Sequence, residues 1–451
     1  MYDTSNPYDW KYYKTVDYPW GQWTITDASL SPQNRWLAYS SIRHIVCLAS
    51  TDPSDTSEPR SLNFANFSSS STAGRRNRAA LRSPSWFGIW TLRFSGDGRE
   101  IVAGTSDHSV IVYDLERQKS TLKLENHRDD VNAVCFGDAS SPHILYSGSD
   151  DQTIRVWDRR SMADGHEAGI FVGHTEGLTY VDSKGDGRYV LSNGKDQTMK
   201  LWDLRKMVSP SAFEGIDMAA WSTNFDYRVS PFDFDDYEPN PHDCSVVTFR
   251  GHSVLKTLIR CHFSPPSSTN SAYVYSGSAD GSVWIWNLDG TVKEKINVEA
   301  ATKGTRPMHP DSSNYTFLPS RHASKWQTCV RDASWHPHAP LLGGKHIFVL
   351  PPQSRSCVIR AVLACHFHPL PSFSLSTNSN DGDTVSLSPG AGDMTLFSIS
   401  PGTESQRNLQ ALPKAKRKAY VLTSHAYSHI LERLGHAQRH CLGTQLERRR
   451  R

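Results

Sequence analysis

The segment Ser147–Asp158 reads SGSDDQTIRVWD and has the pattern of a strand, a turn and a second strand. Small residues lead into a turn at Asp151, and apolar residues then alternate with polar ones as far as Trp157. Alternation with a period of two places successive side chains on opposite faces of a strand. The segment therefore predicts two antiparallel strands joined by a tight turn.

Three further segments superpose on this one: AGTSDHSVIVYD from Ala103, SNGKDQTMKLWD from Ser192 and SGSADGSVWIWN from Ser276. In each of the four, an aspartate in the turn precedes an aromatic residue by six positions. The steps between these aspartates are 44, 45 and 84 residues, the last step indicating an insertion or a degenerate repeat. The aspartates are Asp107, Asp151, Asp196 and Asp280.

These segments resemble the repeats of WD-repeat β-propellers, which are all-β rings with a period of ~40–45 residues. A histidine precedes three of the hairpins. The resemblance implies that each histidine hydrogen-bonds through the turn aspartate and a serine or threonine toward the tryptophan and so locks its blade, which we favour over a histidine acting as ligand or base. The three sets are His127, Asp151 and Trp157; His174, Asp196 and Trp202; and His252, Asp280 and Trp286.

The predicted propeller occupies residues 1–342. Six blades are visible or begun, and a seven-bladed ring is expected because ring closure protects edge strands. The first ten residues read as the last strand of a blade whose beginning is missing, so the first and last blades are expected to be incomplete. The repeats lie near residues 23–48, 88–115, 127–160, 173–205, 251–288 and 328–342.

Two insertions interrupt the repeats, at residues 51–86 and 206–243. The first is rich in serine with several arginines, and we favour a disordered loop between blades over a nucleic-acid site. The second mixes carboxylates with aromatic residues. It is consistent with a docking loop and equally with a loop that packs its aromatic residues against its own propeller.

Residues 343–451 are predicted to be irregular or disordered, because the last repeat is abandoned after Leu342. We hypothesise that this part is alternatively spliced or mispredicted coding sequence. Its basic cluster Lys414–Lys418 is open to three interpretations, as a nuclear import signal, an RNA-contacting patch or a solvated tail.

Composition excludes several classes of function. The formal net charge is only +3, so direct binding to nucleic acid is not expected from the whole molecule. The eight cysteines lack the paired spacing of a disulfide framework, and no apolar run has the length of a signal or membrane segment. These features predict a soluble intracellular protein that has no membrane partner.

Motifs for catalysis are absent from the sequence: it contains no nucleophile elbow, Walker loop, zinc-protease motif or dinucleotide fingerprint. Cys357, Cys365, His366 and His368 could be drawn as a zinc site, but they lie where no repeat or order is predicted. We therefore predict a protein that is not an enzyme and that has no metal and no cofactor.

Two repeats end in the pattern W-D-x-R, at Trp157–Arg160 and at Trp202–Arg205. An arginine at the end of a strand presents a rigid bidentate donor that suits carboxylates and carbonyls of a partner. The alternative, a solvated rim charge, is common for one such arginine but weaker as an explanation of two in consecutive repeats.

These segments resemble the boxes of the WD-repeat substrate receptors that dock on the damaged-DNA-binding adaptor of cullin-4 ubiquitin ligases. The similarity to the WD repeat-containing protein 23 type extends over about residues 23–342. It implies adaptor contacts from the two segments, through Trp157, Asp158, Arg160, Trp202, Asp203 and Arg205.

The expected function is therefore a non-enzymatic receptor that presents protein clients for ubiquitination and proteasomal destruction in the nucleus and cytoplasm. A general interaction scaffold in another intracellular complex is the alternative, since the same propeller supports both. A version without closed ends that is unstable and has no function of its own remains a further possibility.

Overall fold

The computed structural model describes residues 1–3, 11–19, 21–22, 24–67, 86–138, 140–161, 165–223, 225–228, 231–235, 237–301, 327–338, 341–349, 360–362 and 367–369. The chain divides into two compact units, Met1–Thr302 with Phe317–Ser379, and Lys303–Thr316 with Asn380–Arg451. All described residues belong to the first unit. Of the predicted features, the basic cluster Lys414–Lys418 and both cysteines of the zinc hypothesis lie outside them.

The strands of the described residues form a short ribbon and six four-stranded antiparallel sheets that follow one another along the chain. The ribbon pairs β1 (Tyr2–Asp3) with β2 (Lys11–Tyr12). The first sheet comprises β3 to β6, at Ala28–Leu30, Trp36–Tyr39, Ile45–Ser50 and Arg60–Asn63. The second comprises β7 to β10, at Ile89–Phe94, Glu100–Thr105, Val110–Asp114 and Lys119–Leu124. The third comprises β11 to β14, at Val131–Phe136, Ile144–Ser149, Ile154–Asp158 and Gly169–Phe171.

The remaining sheets continue this order. The fourth comprises β15 to β18, at Leu178–Ser183, Tyr189–Gly194, Met199–Asp203 and Val247–Phe249. The fifth comprises β19 to β22, at Cys261–Phe263, Tyr273–Gly277, Ser282–Asn287 and Val292–Asn297. In the sixth, β23 (Gln327–Trp335) pairs with β24 (Leu341–Val349), and two short strands, β25 (Arg360–Val362) and β26 (Phe367–Pro369), both pair with β24.

Hydrophobic residues fill the space between each sheet and the next, because most of these strands are apolar on both faces. Separate clusters join the first sheet to the second, and so on to the sixth. Trp157 lies in one hydrophobic cluster with Val110 and Val112 of the preceding sheet, and Trp286 lies in another with Met199. Sheets stacked face to face in chain order are the architecture of a β-propeller, so the predicted fold class is confirmed.

Ion pairs also connect sheets that are distant in sequence. The fully buried carboxylate of Asp27, just before β3, accepts hydrogen bonds from Arg93 of β7 at 2.7 Å and from Arg260, just before β19, at 2.6 Å. Burial opposes ionisation of Asp27, but Arg260 and Arg93 outweigh it and hold the pKa of this carboxyl well below its usual range. Asp27 therefore links the first, second and fifth sheets.

Four features of the fold differ from what the sequence predicted. Strand β6 lies inside the predicted insertion 51–86, where it completes the first sheet beside β5. Strand β24 crosses the predicted boundary at Leu342, so backbone pairing of the last repeat continues where an irregular segment was expected. The start of the chain supplies the separate ribbon β1–β2. Among the described residues there are six four-stranded sheets where a ring of seven was expected, and the first and last each have four strands.

The insertion 206–243 packs against its own propeller over its first half. It contains a helical turn, α1 (Pro210–Phe213), and a 3-10 turn at Met218–Trp221, and their buried Phe213 and Met218 contact Ile170 of β14. The described residues also contain α2 (Pro266–Thr269), α3 (Val298–Ala301) and a 3-10 turn at Leu204–Lys206, directly after β17. In the part of the chain that the structure describes, no helix has the length and hydrophobicity needed to cross a membrane.

Candidate functional site: the two W-D-x-R strand ends

The third sheet contains a chain of hydrogen bonds behind its W-D-x-R segment. His127 Nδ1 lies 2.8 Å from Asp151 Oδ2, and His127 Nε2 lies 2.7 Å from the hydroxyl of Ser147. The indole N–H of Trp157 donates to the same hydroxyl at 2.8 Å. The turn aspartate is thereby connected to the tryptophan through one histidine and one serine, all of them buried or nearly so.

The fourth sheet repeats this chain with the same geometry. His174 Nδ1 lies 2.9 Å from Asp196 Oδ2, its Nε2 lies 2.7 Å from Ser192 Oγ, and Trp202 donates to Ser192 Oγ at 2.8 Å. Burial opposes ionisation of Asp196, but the neighbouring His174 outweighs it and lowers the pKa of the carboxyl to about 2. One set of protons satisfies every bond: indole N–H to serine, serine hydroxyl to Nε2, and Nδ1–H to the carboxylate.

The fifth sheet does not form the chain that was predicted for His252, Asp280 and Trp286. His252 Nε2 instead lies 2.7 Å from Asn193 Oδ1 of the fourth sheet, and its buried Nδ1 has no hydrogen-bond partner among the described residues. The indole of Trp286 donates to the backbone carbonyl of Arg250 at 3.3 Å. The prediction is therefore wrong for this repeat, and burial lowers the pKa of His252 to about 4.

The fifth sheet lacks the chain because Asp280 binds two partly exposed side chains instead of His252. Its Oδ2 accepts from the indole N–H of Trp284 at 3.2 Å and from Lys295 Nζ at 2.9 Å. At the equivalent positions, Arg155 binds Glu167 and Lys200 binds Asp243, which leaves the turn aspartates of those repeats to their histidines.

The tryptophans and the arginines of the W-D-x-R segments lie in different environments. Trp157 and Trp202 are fully buried, in the hydrophobic clusters that join their sheets to the preceding ones. A partner docking at this edge would not touch either indole, which corrects their predicted place among the adaptor contacts. Arg160 and Arg205 are exposed, so contacts of this site are restricted to the arginines and the partly exposed Asp158.

In the first segment, Arg160 folds back onto its own aspartate. Its Nε and Nη2 donate to Asp158 Oδ1 and Oδ2 at 2.9 and 2.8 Å, and its backbone N–H also donates to Oδ1 at 3.0 Å. The intervening Arg159 forms a bidentate pair with Glu100 of the second sheet at 2.6 and 2.9 Å. Both guanidinium groups of this segment are therefore engaged within the chain.

In the second segment, the guanidinium of Arg205 is unpaired among the described residues, because another arginine occupies its aspartate. The backbone N–H of Arg205 donates to Asp203 Oδ1 at 3.1 Å. Arg188, directly before β16, donates to Asp203 Oδ2 through Nε at 3.1 Å and through Nη2 at 2.7 Å. The sequence analysis did not identify Arg188. Its position directly before the second strand of the repeat could have indicated it, because that strand pairs with the one that ends at Asp203.

One group of described residues has the spacing of metal ligands: His108, Asp129 and Asp130, whose ligand atoms lie within 4.8 Å of one another. Burial, with the charges of Asp150 and Asp129, raises the pKa of Asp130 to about 6. Its carboxylate accepts from the indole of Trp90 at 3.1 Å. Exposed acidic groups of this kind are common without an ion, so the spacing alone does not indicate a metal site.

Two family models match the chain. Residues 24–186 match a β-propeller model described as nucleolar protein 10-like, N-terminal domain, and residues 243–287 match the WD domain, G-beta repeat. Both matches lie within the sheets described above.

Curated relatives match most of the chain. The LEC14B protein of Lithospermum erythrorhizon is 42% identical over 339 residues, which cover 74% of this chain and 63% of that protein. A DDB1- and CUL4-associated factor 11 homolog of Caenorhabditis elegans is 32% identical over 375 residues, covering 79% and 62%. The Caenorhabditis briggsae homolog of the same name is 38% identical over 229 residues, covering 50% and 41%.

The chain thus spans less than two thirds of the length of these relatives. Its repeated sheets, its histidine–aspartate–serine–tryptophan chains and its matches to the WD domain agree with one another. The chain therefore has the fold of a WD-repeat β-propeller, and its sequence is similar to those of the proteins named DDB1- and CUL4-associated factor 11 homolog.

Proposed function

We propose that this protein is a non-enzymatic substrate receptor of a cullin-4 ubiquitin ligase, acting in the nucleus and cytoplasm. Its partners would be the damaged-DNA-binding adaptor, DDB1, and protein clients that are ubiquitinated and then degraded by the proteasome. The names of two homologues refer to association with DDB1 and CUL4, which supports the proposal.

The observation that carries the proposal is the exposed arginine that follows the third strand in each of two consecutive sheets. Strands β13 and β17 end at Asp158 and Asp203, and their tryptophans are locked into the core behind them. The backbones that hold Arg160 and Arg205 are therefore rigid. A rigid guanidinium can form bidentate hydrogen bonds to carboxylates or carbonyls of a partner with little loss of backbone entropy.

The test is a measurement of affinity between the full chain and purified adaptor. We expect the double variant Arg160→Ala/Arg205→Ala to bind about 30-fold more weakly, corresponding to a loss of about 2 kcal/mol at an interface hot spot. Arg117→Ala is the matched control, because Arg117 is also an exposed arginine just after the third strand of its sheet. Wild-type affinity in the double variant would contradict the proposal.

A general interaction scaffold is the second candidate, and the insertion 206–243 favours it. Phe234 is 64% exposed, lies between two aspartates, and contacts the buried Phe232. An exposed aromatic ring held on a packed base is a common feature of protein-binding surfaces. If adaptor is not bound but Phe234→Ala abolishes the capture of a cellular partner, the scaffold function is supported instead.

A further inference from the structure

We propose that Arg188 is a positioning residue that keeps the Arg205 guanidinium available to the adaptor by occupying Asp203. This inference rests on the proposed receptor function and assigns unequal roles to the two W-D-x-R segments. Arg205 is the arginine that is ready to bind, whereas Arg160 must first break its bonds to Asp158.

The two W-D-x-R segments have equivalent backbone hydrogen bonds. In the third sheet, the backbone N–H of Arg159 donates to the carbonyl of His143 at 2.8 Å, and in the fourth the N–H of Leu204 donates to the carbonyl of Arg188 at 3.0 Å. In each segment, the N–H of the final arginine donates to Oδ1 of its aspartate. His143 and Arg188 therefore occupy the same place in their repeats.

The side chains at this place decide what the aspartate binds. Arg188 places two donors on Asp203 Oδ2, and the Asp203 side chain is only 9% exposed. Its other oxygen already accepts the backbone N–H of Arg205. Arg188 therefore already occupies Oδ2 of Asp203, the oxygen that Nη2 of Arg160 binds in the equivalent aspartate, Asp158.

The third repeat shows what happens without that arginine. Among the described residues, His143 forms no hydrogen bond with the Asp158 side chain. That side chain is 21% exposed. Arg160 closes on Asp158 with two guanidinium bonds although its own side chain remains 63% exposed. In this repeat, where no other described side chain donates to the aspartate, the arginine two residues later folds back and binds it.

An exposed ion pair such as Arg160 with Asp158 costs little free energy to break, but that cost reduces the affinity for the adaptor. Replacement of Arg188 would let Arg205 close on Asp203 as Arg160 closes on Asp158. We expect Arg188→Ala to weaken adaptor binding about two- to five-fold, the range typical of a surface ion pair. In the Arg205→Ala background, Arg188→Ala should have no further effect, because the group that it positions is gone.

The first measurement needs no adaptor. Phenylglyoxal reacts with unpaired guanidinium groups, and the modification of each arginine can be followed by peptide mass spectrometry on the folded full chain. In the wild type, we expect Arg205 to react faster than Arg160. In Arg188→Ala, the reaction of Arg205 should slow toward that of Arg160, and Arg188→Lys should restore part of the difference. Arg99→Ala, at the equivalent place in the second sheet, should change neither rate.

A gain of function completes the test. In His143→Arg, the new arginine should take Asp158 and release Arg160, which would then react faster with phenylglyoxal and increase adaptor affinity about two- to five-fold. Neither an effect of Arg188 on packing nor a general loss of stability would produce this increase. Thermal melting of each variant shows whether it is folded.

The outcomes separate the two proposals. If Arg205→Ala weakens adaptor binding but Arg188→Ala changes neither binding nor the reactivity of Arg205, the positioning role is overturned and the receptor function stands. If the reactivities change as expected but wild-type protein does not bind adaptor, the receptor function fails and with it the role of Arg188 in binding. Changes in both reactivity and affinity support the inference.

Discussion

The fourth and fifth sheets have similar sequence repeats but different hydrogen bonds behind their tryptophans. In the fourth, His174, Asp196, Ser192 and Trp202 form one continuous buried chain. In the fifth, Asp280 accepts a hydrogen bond from Trp284, and His252 is bonded to Asn193 of the fourth sheet. The residues of a WD repeat are therefore not sufficient to predict its hydrogen bonds, because a neighbouring side chain can compete for the aspartate.

The largest difference between these sheets is expected for their turn aspartates. Asp196→Asn should lower the free energy of unfolding by about 3 kcal/mol, because an amide has one acceptor oxygen, whereas both oxygens of the buried carboxylate accept hydrogen bonds, one from His174 and the other from Thr198. Asp280→Asn should cost about 0.5 kcal/mol, since its pairing with Lys295 is partly exposed. Urea unfolding followed by tryptophan fluorescence measures both, and equal losses would contradict the comparison.

A smaller difference is expected for the serines. Ser192→Ala should cost about 2 kcal/mol because it leaves the buried indole of Trp202 and the buried Nε2 of His174 each without a partner. Ser276→Ala should cost about half as much, since the Ser276 hydroxyl donates to backbone carbonyls and, among the described residues, is bonded to no other side chain. The same unfolding experiment applies, and a larger loss for Ser276→Ala would show that the fifth sheet depends on its serine after all.

A further difference is a pH dependence of stability that His252 should give to the fifth sheet. Burial lowers the pKa of His252 from 6.5 to about 4, so between these values the unfolded chain binds a proton that the folded chain does not. Stability from this residue is present above pH 6.5 and is lost as the pH falls toward 4. We expect His252→Gln to flatten the fall of the melting temperature over this window, as measured by calorimetry from pH 7 to 4.

Its control is the wild-type profile above pH 6.5, where His252 is neutral in both states and the two proteins should show parallel curves. Glutamine can still donate to Asn193, the partner of His252 Nε2. An unchanged slope in the variant would show that the decline arises from other groups, such as the buried aspartates.

Much of the fold could be predicted because its information is local. The spacing from Asp151 to Trp157 recurs wherever a hairpin recurs, and the alternation of side chains identifies the strands. The strand at Arg60–Asn63 was not predicted, because its single apolar residue, Leu62, makes no alternating pattern, although Leu62 is buried and the strand pairs with β5. The extension of β24 beyond Leu342 was missed for a similar reason, since glycines weaken a strand pattern without preventing backbone pairing.

The repeat, the hairpins and the arginine after each of two strands could be predicted from the amino-acid sequence, because they depend on residues a few positions apart. Which aspartate each arginine binds depends on the packing and pairing of the strands. Asp203 binds Arg188, 15 residues earlier in the chain, whereas Asp158 binds Arg160, two residues later. Short-range ion pairs depend on distances of a few ångströms, and strand pairing sets those distances between residues that are far apart in the sequence.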